Sequence, residues 1–344
     1  MPTVVGPTLQ GKLEAANLRF RPDTFQKRTK GSFRTGRYHA EGIIALPFGL
    51  KRYLRVRPFY EVATTLYERR WQRHGAGERL VQKTGITIGT HLWRNYHLPW
   101  SFFGNQRIRH IIVPKISYAN AFFSSRDHEQ FYQFDSIDAL DKLEYLELAL
   151  GTYLLGFRKG TPPAALSIVR RLAELKARIL YYPKPRRDNL LGGPGGVAAS
   201  WSNLMLEGFI DLLSPYLSIG VEAEFDVNRG KGFLIMDPYV VVRWPRRFIL
   251  NVGNLYMARD PLLGISKSNY FWANFYWLIS EDYYAQAYFR YDFANKQVAQ
   301  QYYGLSRRFH CLTVETGVEV DEGDNEVRWI LRAYPTGSRA RVLP

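Results

Sequence analysis

Apolar residues recur at every second position over long stretches of this chain, and that alternation constrains the fold more than any other feature. From Leu217 to Val227, Leu217, Ile219, Val221, Ala223, Phe225 and Val227 alternate with Ser218, Gly220, Glu222, Glu224 and Asp226. A period of two places successive side chains on opposite faces of an extended strand. The pattern returns near the C-terminus. Tyr283, Ala285, Ala287, Phe289, Tyr291 and Phe293 form one such run, followed by Leu312, Val314, Val318 and Val320, then Val327, Trp329, Leu331 and Ala333. It also fills the first half, in Leu54 to Leu66, Leu80 to Leu92 and Ile108 to Tyr118. Ser167 to Tyr181 fits two templates. It reads as an amphipathic helix, or as a strand with Ala173, Leu175, Ala177, Ile179 and Tyr181 on one side.

Turn residues separate the runs at Gly75-Ala76-Gly77, Asn228 to Gly232, Trp244-Pro245, Asp260-Pro261, Asn295-Lys296 and Glu322-Gly323-Asp324. The count comes to roughly 14–18 strands, most of about 10–15 residues. Strands of soluble proteins peak at about 5–6 residues, whereas a tilted strand crossing a bilayer needs about 9–11. A barrel of about 16 strands is too wide for side chains to fill. Its interior is wet, the polar face belongs inside, and the apolar face needs a bilayer outside. The expected fold class is therefore all-β, a transmembrane antiparallel β-barrel, with residues 1–344 as one barrel domain. Trp and Tyr at run ends, among them Trp93, Tyr96, Trp244, Trp272, Trp277 and Tyr302-Tyr303, fit aromatic girdles at headgroup level.

Composition narrows the function classes. Lys and Arg number 47 against 31 Asp and Glu, a formal charge of +16 in 344 residues. That excess points to an acidic partner. Three basic runs, Glu68 to His74, Lys184 to Arg187 and Arg243 to Arg247, lie at turns and not on one compact module, so nucleic acid is not expected. Lumenal and rim cations facing outer-membrane lipid are expected instead. No run of about 18 apolar residues provides a transmembrane helix. Met1 to Gly6 has no basic segment followed by an apolar one, so it does not read as a signal peptide.

Enzyme motifs are missing. There is no HExxH, no GxSxG, no Walker loop and no GxGxxG after a strand, and Gly192-Gly193-Pro194-Gly195-Gly196 reads as a flexible loop. The seven histidines are scattered, and the acidic loop of Asp127, Glu129, Asp135 and Asp138 reads as solvated. No catalytic residue, metal or cofactor is expected.

Four stretches resemble a known family, the C-terminal β-barrel of the outer-membrane lipopolysaccharide-assembly protein (organic solvent tolerance protein). They are Leu54 to Tyr60 with Thr64 to Tyr67, Arg109 to Tyr118 with its His…Pro…Tyr spacing, Phe134-Asp135-Ser136-Ile137-Asp138 followed by Leu146 to Tyr153, and Tyr302 to Cys311. The family has a periplasmic jellyroll ahead of its barrel and a pair of adjacent late cysteines. This sequence has no jellyroll, and Cys311 stands alone between His310 and Leu312. The resemblance implies insertion of lipopolysaccharide into the outer leaflet of a Gram-negative outer membrane, through the lumen and a seam between first and last strands. It also implies a plug lipoprotein and periplasmic bridge proteins as partners. Arg55, Arg57, Arg107, Arg109 and Lys115 then become candidates for holding polyanionic lipid A. Pro58 and Pro114, which remove ladder donors from good strands, become candidate seam or bulge positions. A porin-like passive channel is the alternative, because about 16 strands close a pore by themselves.

Overall fold

The computed structural model describes residues 3–4, 8–20, 33–50, 54–68, 76–102, 105–126, 144–158, 168–184, 200–213, 216–259, 267–322 and 326–335. The acidic loop, the glycine-rich loop, the Phe134–Asp138 stretch, His128, Asp260-Pro261, Arg69 to His74 and Arg186-Arg187 lie outside these residues. Among the described residues every regular element is a strand. They are β1 (Thr3–Val4), β2 (Thr8–Phe20), β3 (Phe33–Ala45), β4 (Phe48–Leu50), β5 (Leu54–Tyr67), β6 (Gly77–Thr90), β7 (Leu92–Phe102), β8 (Asn105–Ser124), β9 (Glu144–Arg158) and β10 (Ile168–Tyr181). The series continues with β11 (Leu204–Leu213), β12 (Leu217–Asp226), β13 (Gly232–Trp244), β14 (Phe248–Met257), β15 (Ser268–Leu278), β16 (Tyr283–Asp292), β17 (Gln297–Arg308), β18 (Leu312–Asp321) and β19 (Glu326–Pro335). The ambiguous stretch at 167–181 is thus a strand, β10. Contacts divide the chain into two compact units, one of Met1–Leu92, Ile112–Gly151 and Arg178–Ser202, the other of Trp93–Ile111, Thr152–Ala177 and Asn203–Pro344.

In the first unit β5 and β6 pair without a break from Leu54↔Thr90 to Tyr67↔Gly77. β3 and β4 both lie on the other flank of β5. The two prolines stand opposite interruptions. β3 ends at Ala45 and β4 begins at Phe48; between them Leu46 donates its N–H to the Pro58 carbonyl at 3.1 Å. Pro58 has no N–H to return. Pro114 stands one residue beyond the last β6–β8 pair, Gly89↔Lys115, where His91 parts β6 from β7.

The second unit contains an up-and-down meander. Each strand from β11 to β19 pairs antiparallel with the next. Local chemistry sets its turns. The Asp226 carboxylate accepts the backbone N–H groups of Asn228 (2.9 Å) and Arg229 (3.0 Å), and Gly230 supplies the positive φ of 67°. Asp292 ends β16 in the same way, through the N–H groups of Ala294 (2.8 Å) and Asn295 (3.3 Å). Both are Asx turns, which replace the ladder partners a strand end loses.

The two faces are inverted relative to a soluble protein. Arg37 and Arg79 in the first unit and Asp226 and Glu315 in the second are essentially fully buried, and Ser218, Gln286, Asp292, Ser306 and Thr313 in the second are buried too. Trp329 is 82% exposed and Leu331 78%, with Ile219, Ile210, Phe275, Tyr303 and Leu305 also exposed. In water such rows of Trp, Leu and Ile would promote association; against hydrocarbon they are at home. A ten-residue strand runs about 33 Å and, at a tilt near 40°, spans about 25 Å, the height of an outer-membrane apolar band. Rings cluster at both strand ends: Tyr216 with Trp244 (5.9 Å) at one, Phe225 with Phe233 (5.3 Å) and Tyr291 with Phe293 (5.3 Å) at the other. The fold class is that of a transmembrane antiparallel β-barrel.

Trp272 and Tyr302 depart from the girdle expectation. The Trp272 indole lies on the polar face over Gly253 and donates to Asp237 (2.9 Å), and the Tyr302 ring lies over Gly304 and Gly317. A Cβ at Gly253 would enter the space of the indole. Alternation assigns a face, but pairing register decides which ring meets which glycine.

Leu331→Arg is expected to destabilise the protein in lipid vesicles by about 2–4 kcal/mol, the cost of a cation on a barrel's lipid face. Urea unfolding followed by tryptophan fluorescence checks it; a negligible change at this exposed site would mark the apolar face as wetted.

Candidate functional site

The polar face holds most of the chemistry. In the first unit register brings three predicted cations together. Arg55 pairs with Gly89, which pairs in turn with Lys115; Arg57 pairs with Thr87, which pairs with Ser117. Gly89 places no side chain between Arg55 and Lys115. Two strand spacings put those residues about 10 Å apart, and Arg57 lies about 7 Å along β5 from Arg55. Odd positions of β5 share a face, so Arg55 and Arg57 lie on the same side as the buried Thr65 and Tyr67; Val56, between the two exposed arginines, is itself buried. Two of these cations adjoin an interruption, since Arg57 precedes Pro58 and Lys115 follows Pro114.

Partners divide the cations of this face. Lys115 is held by Glu147 at 2.9 Å and Lys83 by Glu61 at 2.6 Å. In the second unit Lys176 meets Glu174 (2.5 Å) and Glu207 (3.2 Å), Arg170 meets Asp211 (3.1 Å), and Arg332 meets Glu315 (3.7 Å). Arg55 and Arg57 are exposed and have no carboxylate partner among the described residues. Their guanidinium donors face open space, ready for an anionic group in bidentate geometry.

Arg107 and Arg109 belong to the second unit. Arg107 is exposed. Arg109 is committed elsewhere: its Nε donates to Asn95 Oδ1 at 2.9 Å, and its guanidinium sits 5.0 Å from the Trp93 ring centroid and 5.1 Å from that of Phe157. These contacts fix it as a wall residue.

β8 and β9 make side-chain contacts within each unit. In the second, His110 Nε2 meets Thr152 Oγ1 at 2.6 Å; in the first, Lys115 meets Glu147 and Tyr118 donates to Glu144 at 2.8 Å. His110 and Thr152 share the apolar face, where two polar groups satisfy each other in the absence of water.

Sequence reasoning missed one network. Tyr302 donates to the buried carboxylate of Glu315; Tyr334 donates to its second oxygen at 3.4 Å and meets the Tyr284 hydroxyl at 2.5 Å. These tyrosines come from β16, β17 and β19, and only register unites them with Glu315. Among the described residues no group of three His, Cys, Asp or Glu is placed to hold a metal. Cys311 is exposed in the connection between β17 and β18.

No protein-family model and no curated protein matches this sequence. Among solved structures the chain is similar to mutants of the Rhodopseudomonas blastica porin. A triple mutant aligns at 10% identity and TM-score 0.45, covering 96% of this chain and 100% of that one. A second mutant aligns at 10% identity and TM-score 0.44 with the same coverage.

Glu315→Leu should cost about 1–3 kcal/mol, because Tyr302, Tyr334 and Arg332 lose a buried acceptor while the backbone is untouched. Tyr334→Phe, which removes a single long hydrogen bond to Glu315 and the contact to Tyr284, should cost less. Denaturant midpoints in detergent check the order, and a neutral Glu315→Leu would contradict it.

Proposed function

We propose that this chain inserts lipopolysaccharide into the outer leaflet of a Gram-negative outer membrane, the polar face of its barrel providing the path. The observation that carries the reading is the pair of unpartnered arginines, Arg55 and Arg57, beside Lys115 on that face. Lipid A is polyanionic, and arginine forks suit its phosphates. The family-like stretches support it, since Leu54 to Tyr60 supplies both arginines and Arg109 to Tyr118 supplies the lysine. The missing ladder donors at Pro58 and Pro114 fall beside the same cations, so the wall is weakest where the anion would dock. Release through a seam between first and last strands, a plug lipoprotein and periplasmic bridge proteins complete the proposal.

A passive channel is the second reading. It is favoured by the number of long strands that each carry one polar face, since barrels of 16–18 strands leave an aqueous channel.

The two readings separate on one variant. Each charge-assisted hydrogen bond is worth about 1.5–3 kcal/mol, so Arg55→Glu with Arg57→Glu should lower lipopolysaccharide delivery at least about tenfold in a depletion strain. Surface lipopolysaccharide on intact cells reads the effect. Normal delivery, combined with stepwise ion conductance in planar bilayers whose anion preference the double variant reverses, would move the assignment to the channel.

A further inference from the structure

On the apolar face of the second unit a groove of about 420 Å³ runs across β15 to β19. Ala285, Ala287 and Leu305 line it along β16 and β17, and Phe275 and Trp329 line it from β15 and β19. Its walls are mostly apolar, with Gln286, Tyr303 and Thr316 also on the lining, which suits an acyl chain.

One cation stands at its end. Arg307 lies two residues beyond Leu305 on the same face of β17 and opposite Tyr283 of β16. Its guanidinium is 5.2 Å from the Tyr283 ring centroid and 4.8 Å from that of Phe309. These rings hold the charge at the strand end, at headgroup level, without neutralising it. The adjoining connection carries Glu281 and Asp282, and neither forms an ion pair with Arg307. From Arg307 to the level of Tyr303 and Trp329 the groove extends about 13 Å into the apolar band.

Connection lengths say which leaflet this is. Within the β11–β19 meander the connections at this edge are 214–216, 245–247, 279–282 and 309–311. At the meander's opposite edge they are 227–231, 258–267, 293–296 and 322–325, each at least as long as any at this edge. Outer-membrane barrels keep short turns on the periplasmic side and long loops outside. The periplasmic leaflet is phospholipid.

We propose that this groove is a binding site for an anionic phospholipid of the inner leaflet, its phosphate on Arg307 and one acyl chain between Phe275 and Trp329. The site depends on the apolar face meeting lipid, not on what crosses the lumen.

The test uses the full chain folded in detergent, with heat-modifiable gel mobility as the folding control. Equal amounts of phosphatidylglycerol and phosphatidylcholine are added, and bound lipid is read by native mass spectrometry. One surface arginine should favour the anionic lipid about fivefold. Arg307→Gln should abolish the preference, and Ala287→Trp should lower binding of both lipids, with the folded form retained in each variant. Equal binding in the unsubstituted protein, or a preference that survives Arg307→Gln, would overturn the site. Unchanged occupancy in Ala287→Trp, or a second copy of the chain bound in place of lipid, would do the same. Loss of the gel shift in the unsubstituted protein would overturn the membrane reading, and the site with it.

Discussion

A backbone in hydrocarbon has no water to satisfy its N–H and C=O groups, and everything else in this chain follows from that. Strands solve the problem by pairing with neighbours, which is why the described residues contain strands and no helix. Pairing then fixes the side chains: one face meets lipid and the other meets whatever the sheet encloses. The burial of Arg37, Arg79 and Glu315 and the exposure of Trp329 and Leu331 are two consequences of one constraint.

Charges on the enclosed face are arranged in two ways. Most are in pairs or networks, such as Lys83 with Glu61, Lys176 with Glu174, and Glu315 among its tyrosines. Such groups stiffen the wall and leave no charge free for a ligand. Arg55 and Arg57 are the contrast, two adjacent inward cations beside a glycine that clears the space between them and Lys115. Arg57 and Lys115 adjoin Pro58 and Pro114, where the ladder loses donors. Under the proposed function, the anion would meet the wall beside these exposed cations.

The alternation made the fold class and the inward direction of Arg55, Arg57 and Lys115 legible, because a period of two needs only the chain itself. What stayed hidden depends on register. The pairing of Lys115 with Glu147, the stacking of Arg109 between Trp93 and Phe157, and the Trp272 indole over Gly253 each need to know which residue lies across the strand. Trp272 shows the cost most plainly. By composition it looked like a girdle residue, yet it sits on the polar face bound to Asp237. The stretch 167–181 was ambiguous for another reason, since Ala, Leu, Glu, Lys and Arg favour helix locally and only its neighbours make it a strand.

The inversion of faces is the claim on which the rest stands, and spin labels along β17 test it directly. Single labels at positions 302, 303, 305 and 306, in protein folded into lipid vesicles, are probed with dissolved oxygen and with a water-soluble nickel complex. The account predicts that labels at 303 and 305 collide with oxygen and are shielded from nickel, while labels at 302 and 306 show the reverse or no access to either. Labels at 303 and 305 that are open to nickel and closed to oxygen would place the apolar face in water and contradict the account.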